Sequence, residues 1–219
     1  MKLNKNQRKL INYLISKVPE VPHSIYLFDE LIERGCLDNK NERIDSIKKY
    51  IKDYQVVCEI GSKTGFFVIE LAKIFKNSVF ISIETDKNYT DLQAKLIELN
   101  QLRNIVLING YVSLDWLFRA KKACVYFDLC LMLSVDHHLP YPKEFINEIS
   151  SISKGMIIEL DLLSEKNDCG KEKFNLSNDE FLNKLKKRVN EFSYITSVQS
   201  DTKKQQKFLY LKKEPYIRK

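Results

Sequence analysis

The sequence lacks any apolar run close to the roughly 20 residues that a membrane-spanning helix needs. Its N-terminal stretch also lacks the long apolar centre of a signal peptide. Hydrophobic residues make up 44% of the 219, which is the usual share for a water-soluble globular protein. We therefore expect a cytoplasmic protein with no membrane partner, and a chain long enough for one domain with a substantial core.

Cysteine is scarce and scattered, and no pair has the C-x-x-C spacing. The five cysteines are Cys36, Cys58, Cys124, Cys130 and Cys169. Three of them, Cys58, Cys124 and Cys130, lie in or beside predicted core strands. Scattered cysteines in a cytosolic protein are usually reduced, so we expect buried thiols rather than disulfides or zinc ligands.

An acidic excess is also absent, since 36 Lys and Arg face 29 Asp and Glu, which gives a net charge of +7. Residues 171–219 hold thirteen basic and six acidic residues, so this C-terminal quarter carries the whole surplus. Such asymmetry can mark an anionic partner. A lysine-rich, solvated face is the simpler explanation, because Lys and Asn abound throughout the chain.

Glycine is rare as well, and two of the six glycines stand four residues apart. Gly61 and Gly65 follow a short apolar run, 56–60, and precede a stretch from Phe66 whose apolar residues have helical spacing. This order predicts a buried strand, a tight turn and a helix, the unit at which open α/β sheets bind cofactors. Glu84 ends the next apolar run, 19 positions past Gly65. An acid about 20 residues beyond a glycine turn is well placed to bind the two hydroxyls of a ribose.

The residues between these glycines exclude two of three cofactor classes. A P-loop requires glycine directly before its Lys-Ser/Thr pair, but Ser62 precedes Lys63-Thr64 here. A dinucleotide-binding turn requires a second glycine where the backbone approaches the pyrophosphate, and Lys63 occupies that place. A nucleoside cofactor without phosphates tolerates this side chain, so the turn favours such a cofactor.

Four stretches, in order along the chain, resemble the class I S-adenosylmethionine-dependent methyltransferases. The first is Glu59-x-Gly61-x-x-x-Gly65 followed by Glu84. The others are V-F-I-S-I-E-T-D-K-N-Y (79–89), L-N-Q-L-R-N-I-V-L-I-N-G (99–110) and F-D-L-C-L-M-L-S-V-D-H-H-L (127–139). The resemblance covers about residues 43–212. It implies S-adenosyl-L-methionine as cofactor and an α/β fold: a Rossmann-like, seven-stranded, mostly parallel sheet with helices on both faces and an antiparallel last strand.

The resemblance also implies a set of cofactor-binding residues. They are Glu59, Gly61, Ser62, Gly65, Glu84, Thr85, Tyr111 and Ser134. Two positions depart from the family pattern, because Lys63 stands at the common middle glycine and Tyr111 stands where an acid often meets the adenine amino group. Stacking of Tyr111 on the adenine ring, or a backbone carbonyl, would then replace that acid.

Asp136, His137 and His138 follow the fourth strand of the family pattern and are the catalytic candidates. Imidazole titrates near neutral pH, so either histidine can accept the proton of an oxygen or nitrogen acceptor while Asp136 orients it. Two alternatives stay open: a structural loop with one buried imidazole, and a divalent metal site shared with Glu159 or Asp161. Spacing alone does not support a set of metal ligands, and we assign none.

Periodicity predicts an N-terminal helical extension, residues 1–52, packed on a methyltransferase domain, residues 53–219. The extension has three predicted helices, over residues 3–18, from a Ser24 cap to about Gly35, and over residues 41–52. After the glycine turn, strands are predicted at 79–84, 104–109, 125–134, from Gly155, at 193–199 and at 207–212. Helices are predicted at about 87–102, 113–121, 142–152 and 177–190.

Three functions fit these features. The first is a methyltransferase acting on a small-molecule or sugar-type acceptor, which we favour. The second is an RNA or tRNA methyltransferase that holds phosphates with the basic C-terminal quarter, although the chain has no evident aromatic platform for stacking bases. The third is a protein that binds S-adenosylmethionine without catalysis. The methyl acceptor and the oligomeric state do not follow from the sequence.

Overall fold

The structure is a computed structural model that describes residues 2–28, 30–36, 40–133, 135, 138–139, 142–160, 191–199 and 205–212. Its helices are α1 (Lys5–Ile15), α2 (Lys40–Ile47), α3 (Phe66–Ile74), α4 (Lys87–Leu99), α5 (Leu114–Lys122) and α6 (Pro142–Ser151). Its strands are β1 (Ile25–Leu27), β2 (Glu30–Glu33), β3 (Val56–Ile60), β4 (Val79–Glu84), β5 (Ile105–Asn109), β6 (Phe127–Leu133), β7 (Ser153–Leu160), β8 (Glu191–Gln199) and β9 (Gln205–Lys212).

The chain divides into two compact units. The first unit is formed by Met1–Tyr54 and Gly61–Tyr111, and the second by Gln55–Ile60 and Val112–Lys219. No helix in the described part of the chain is long and apolar enough to cross a membrane.

In the first unit, β4 and β5 are parallel neighbours, and their last residues, Glu84 and Asn109, lie side by side. Helix α1 begins at a capping box, in which Asn4 and Gln7 each accept a hydrogen bond from the other's backbone amide. Apolar side chains from α1, β1, α3 and α4 form one core. Its buried members are Ile11, Val18, Ile25, Leu27, Ile69, Tyr89, Leu92, Leu96 and Leu99.

In the second unit, β3, β6 and β7 are parallel neighbours. Their side chains are buried over most of their length, as expected for parallel strands covered on both faces. Strand β9 pairs with β7 in the antiparallel direction, and β8 pairs with β9 in the same way. Helices α5 and α6 contact each other.

The predicted alternation of strands and helices is confirmed from β3 to β7, and the parallel pairing of these strands identifies a mostly parallel α/β protein. The first N-terminal helix is found as α1, and the third is found as α2 followed by a 3-10 turn, Lys48–Tyr50. The helix predicted at 177–190 lies outside the described residues. Cys58 and Cys130 are buried as predicted, but Cys36 and Cys124 are exposed. Cys124 lies in the turn after α5 rather than in β6.

The second predicted N-terminal helix is wrong, because residues 25–33 form an antiparallel hairpin of β1 and β2. The apolar residues of this stretch have helical spacing in the sequence. In the structure, Ile25 and Leu27 are buried and Tyr26 between them is exposed, which is the alternation of a strand. Phe28, which follows β1, has a φ of +52°, and this conformation interrupts a right-handed helix.

Ser24 and Gly35 close this hairpin instead of capping a helix. The Oγ atom of Ser24 accepts a hydrogen bond of 3.0 Å from the backbone amide of Gly35. A Cβ atom at Gly35 would lie 2.3 Å from the carbonyl carbon of His23. The glycine is therefore needed for the close approach of two backbone segments, and this need cannot be read from local periodicity.

Candidate functional site

The candidate site is built on the glycine turn, residues 61–65, which follows β3. Gly61 and Gly65 both have a φ of +73°, a left-handed conformation that glycine adopts without steric cost. The backbone amide of Gly61 donates to the carbonyl of Ile83 in β4 at 2.8 Å, and the amide of Ser62 donates to the same carbonyl at 3.3 Å. The amide of Gly65 donates to the carbonyl of Ser62 at 2.8 Å. The turn is thus closed on itself and tied to the end of β4.

Lys63, at the middle of the turn, also has a left-handed backbone, with a φ of +48°. This conformation points its amide at Glu84, whose Oε2 accepts a hydrogen bond of 2.7 Å. The sequence marked Lys63 as a departure because the related pattern has glycine here. In the structure Lys63 has a left-handed conformation, which glycine adopts without steric cost.

Glu84 is buried, with 6% of its surface exposed. Its Oε1 accepts hydrogen bonds from the amide of Asp86 at 2.9 Å and from the hydroxyl of Thr85 at 3.3 Å. Three donors therefore hold the carboxylate in one orientation, counting the amide of Lys63. An ionised carboxylate has about four acceptor sites on its two oxygens, so it can accept further hydrogen bonds in this position.

Gln93 of α4 also supports the turn through its side-chain amide. Its side chain is fully buried; its Nε2 lies 2.9 Å from Oγ of Ser62 and 2.5 Å from the carbonyl oxygen of Lys63. The Oγ of Ser82 lies 2.7 Å from Oε1 of Gln93 and 2.7 Å from Oγ of Ser62. A Cβ atom on Gly65 would lie 2.7 Å from Oε1 of Gln93, so the amide fills the space that a side chain on Gly65 would occupy.

The segment before β1 contacts the turn through Glu20. The ammonium group of Lys63 forms an ion pair with the Glu20 carboxylate, and the hydroxyl of Tyr89 donates to the Glu20 carbonyl at 2.9 Å. Burial, with smaller contributions from the Glu20, Asp86 and Glu84 carboxylates, raises the pKa of Tyr89 to about 12. The tyrosine therefore stays neutral and remains a hydrogen-bond donor at any ordinary pH.

A second buried cluster lies at the start of α3. The His23 imidazole stacks on the Phe66 ring with centroids 4.4 Å apart, and it meets the Phe67 ring edge-on at 5.1 Å. Nη1 of Arg43 lies 3.3 Å from Nε2 of His23, and its guanidinium lies 4.9 Å from the centroid of the Phe67 ring. Phe66, Phe67 and Arg43 are all buried.

The remaining predicted site residues are placed as follows. Glu59 is buried in β3 of the second unit, with 3% of its surface exposed, and Tyr111 is 58% exposed. Ser134, Asp136 and His137 lie outside the described residues. His138 is exposed, and its backbone amide donates to the carbonyl of Val135 at 3.0 Å. Among described residues, no three His, Cys, Asp or Glu side chains are grouped as a metal site requires.

Sequence reasoning missed Gln93, Ser82 and Glu20 as neighbours of the turn. Gln93 gave a signal, because it occupies a position on the apolar face of α4 beside Leu92 and Leu96. A polar side chain at a buried position is hydrogen-bonded in nearly all proteins, so its partner was worth seeking. The sequence does not identify that partner, since Ser62 lies 31 positions away.

Comparison with known proteins gives partial matches. No protein-family model matches the chain. A carboxy-S-adenosyl-L-methionine synthase of Nautilia profundicola is 32% identical over 83 residues, which are 36% of this chain and 36% of that protein. The chain thus spans little more than a third of this curated relative.

Solved structures match over nearly the whole chain. WbdD, described as a bifunctional kinase-methyltransferase, superposes with a TM-score of 0.75 and 19% identity over 92% of this chain and 47% of that one. The N-terminal domain of EvdMO1, with SAH bound, superposes with a TM-score of 0.72 and 12% identity over 98% of both chains. At such low identity, the likeness shows that the fold is shared.

Proposed function

We propose that this chain, whose fold is that of the class I S-adenosylmethionine-dependent methyltransferases, binds S-adenosyl-L-methionine and transfers its methyl group to a small-molecule or sugar-type acceptor. The observation that carries the proposal is the buried carboxylate of Glu84, held by the amide of Lys63 in the glycine turn. With three of its roughly four acceptor sites used within the protein, the carboxylate keeps an acceptor site for a ribose hydroxyl. We also propose that the chain forms the complete seven-stranded sheet of these methyltransferases, with an antiparallel last strand.

The hydrogen bonds of the turn favour a cofactor without phosphates. A pyrophosphate is bound by backbone amides that point at it, but the amides of Gly61, Ser62, Lys63 and Gly65 all donate within the protein. The carboxylate of Glu84 would also repel a phosphate near Lys63. S-adenosyl-L-methionine has no phosphate that would need these amides, so amides that already donate within the protein are compatible with it.

Catalysis by such a protein depends mainly on alignment. The bound cofactor supplies an activated methyl group, and the protein holds the acceptor in line with it. We assign cofactor contacts to Glu59, Gly61, Ser62, Gly65, Glu84, Thr85, Tyr111 and Ser134. We propose that His137 or His138 accepts the proton that the methyl acceptor loses, because an imidazole takes up a proton near neutral pH. Asp136 would orient that histidine.

A sugar-type acceptor is suggested by one neighbour. The EvdMO1 domain, at a TM-score of 0.70 and 11% identity, was also studied in the presence of SAH and D-fucose. The alternative of an RNA acceptor is supported by the thirteen basic residues among 171–219, since clustered cations bind phosphates. A protein that binds the cofactor without catalysis is the third outcome.

The first experiment measures cofactor binding by calorimetry, with S-adenosylhomocysteine and with a nicotinamide dinucleotide. We expect binding of the first only, and an affinity loss of at least about tenfold in Glu84→Ala, because a hydrogen bond to a charged group is worth about 1.5 kcal/mol or more. Glu98→Ala, which removes an exposed carboxylate from α4, is the control and should bind normally. Preferential binding of the dinucleotide would overturn the proposal.

The second experiment follows labelled methyl groups from S-adenosylmethionine into fractionated cell extract, with and without nuclease. Label in small molecules or in a nuclease-resistant glycan fraction is expected. Label that nuclease releases would favour the RNA alternative. Cofactor binding without transfer to any fraction would favour the non-catalytic alternative.

A further inference from the structure

The contacts of Gln93 with Ser62 and Ser82 admit one arrangement of hydrogens that uses every donor once. A serine hydroxyl has a single hydrogen, so Ser82 cannot donate both to Ser62 and to Gln93. If Ser82 donates to Oε1 of Gln93, then Ser62 donates to Oγ of Ser82, and Nε2 of Gln93 donates to Oγ of Ser62, at 2.7, 2.7 and 2.9 Å respectively. These three bonds close a cycle, which we call the amide ring.

The second hydrogen of the Gln93 amide leaves the amide ring and reaches the turn. It is donated to the carbonyl oxygen of Lys63 at 2.5 Å. The amide on the other side of the same residue donates to Glu84. The left-handed backbone of Lys63 is therefore held at both of its peptide groups, by Gln93 at one and by Glu84 at the other.

Gly65 and Gln93 also fit each other. A Cβ on Gly65 would lie 2.7 to 2.9 Å from Oε1, Cδ and Cγ of Gln93. The Gln93 side chain has no freedom to withdraw, because both of its amide hydrogens and its oxygen are bonded. Gly65 thus has no side chain at the place where the Gln93 side chain of α4 packs against it.

We propose that Gln93 is a positioning residue of the cofactor site: through the amide ring and the carbonyl of Lys63 it sets the shape of the glycine turn, and through that shape the orientation of Glu84. A buried polar cluster of this kind is rigid when it is complete and costly when one member is missing. The inference rests on the proposed function, because it makes cofactor affinity depend on Gln93, which contacts the turn from α4.

One consequence concerns Ser62. Its hydroxyl hydrogen is donated inside the amide ring, and its backbone amide is donated to Ile83. Ser62 therefore acts on the cofactor through the position of the turn and not by donating a hydrogen bond to it.

The test compares Gln93→Glu and Gln93→Met with Leu99→Ala. Gln93→Glu keeps the shape of the side chain but, when ionised, has no donor for Ser62 or Lys63; Gln93→Met keeps the bulk and has neither donor nor acceptor. Leu99→Ala removes a buried side chain from the same helix and its core cluster, so it lowers stability without touching the turn. Affinity for S-adenosylhomocysteine and the free energy of unfolding are measured for each variant.

We expect both Gln93 variants to lose at least tenfold in affinity and Leu99→Ala to stay within twofold of the wild type. Ser82→Ala should also weaken binding. The double variant Ser82→Ala/Gln93→Met should bind little worse than Gln93→Met alone, because either substitution by itself already breaks the amide ring. Folded Gln93 variants that bind within twofold of the wild type would overturn the inference.

Hydrogen exchange separates this inference from the proposed function. The amides of Lys63 and Gly65 should exchange faster in the Gln93 variants than in Leu99→Ala, whatever the ligand. If the wild type binds no S-adenosylhomocysteine, the proposed function fails, and affinity no longer bears on Gln93. Unchanged exchange at Lys63 and Gly65 would then overturn the role of Gln93 in shaping the turn.

Discussion

The backbone amide of Lys63 donates a hydrogen bond of 2.7 Å to the carboxylate of Glu84, 21 positions further along the chain. The bond depends on the left-handed conformation of Lys63, with a φ of +48°. The long side chain of Lys63 forms an ion pair with Glu20. The turn and the ribose-binding candidate are thus one hydrogen-bonded unit.

Replacing Lys63 with glycine should change little. The left-handed backbone costs a non-glycine residue about 1 kcal/mol or more, and glycine removes this cost. Glycine also loses an exposed ion pair worth at most about 1 kcal/mol and gains unfolded-state entropy worth about as much. We expect a free energy of unfolding within about 1 kcal/mol of the wild type and an unchanged affinity for S-adenosylhomocysteine, because the amide remains.

Lys63→Ala is the matched variant, because it loses the same ion pair and keeps the cost of the left-handed backbone. Urea denaturation should find it no more stable than Lys63→Gly. An alanine variant clearly more stable than the glycine variant would contradict the left-handed conformation at this position.

Gly65→Ala should be strongly destabilising. Its Cβ would occupy a left-handed position at a cost of about 1–2 kcal/mol, and it would displace the Gln93 amide, whose hydrogen bonds are worth about 1 kcal/mol each. We expect a loss of about 2–4 kcal/mol in the free energy of unfolding, measured by urea denaturation. Gly110→Ala is the control, since a Cβ there meets only Ile108 at 3.8 Å. Equal stability of the two variants would contradict the packing of Gly65 against Gln93.

Tyr89 should make stability fall in strongly alkaline solution. Burial raises its pKa to about 12 in the folded protein, whereas an unfolded tyrosine titrates near 10. The unfolded state therefore loses the proton first, so this contribution is complete below about pH 10 and is lost as the pH rises from about 10 to 12. Tyr89→Phe lacks the contribution and also loses a hydrogen bond to Glu20, worth about 1 kcal/mol.

The measurement is the difference in the free energy of unfolding between the wild type and Tyr89→Phe from pH 8 to 12. Lysines titrate in both proteins, so the difference isolates Tyr89. The wild type should be more stable at pH 8, and its advantage should shrink above pH 10. An advantage that stays constant over this range would show that the folded protein does not shift this pKa.

The cysteines should differ in reactivity. Cys58 and Cys130 are buried neighbours in β3 and β6, and burial, followed by the contact with Cys58, raises the pKa of the Cys130 thiol well above its usual value. Cys36 and Cys124 are exposed. In a Cys169→Ser variant, a thiol reagent at pH 8 should label Cys36 and Cys124 promptly and the other two only on unfolding. Prompt labelling of Cys58 or Cys130, mapped by peptide mass, would contradict the buried β3–β6 pair.

Local sequence patterns were enough for the elements that form the scaffold of the site. The apolar run 79–84 predicted β4 at its observed bounds, and the order of apolar run, glycines and helical spacing predicted β3, the turn and α3. Strands and helices of this kind are encoded within windows of a few residues. The same kind of window failed at residues 25–33, where the helical spacing of apolar residues is overridden by pairing between β1 and β2.

The sequence by itself determined that a glycine turn follows a buried strand and that an acid ends the next strand, because a run of side chains fixes local conformation through its own periodicity and through glycine. Only the tertiary structure decided that the amide of Lys63 holds Glu84 and that Gln93 fills the space left by Gly65. These partners are 21 and 28 positions apart. A buried polar group takes its partner from whichever elements pack against it, and that choice is made by the whole fold.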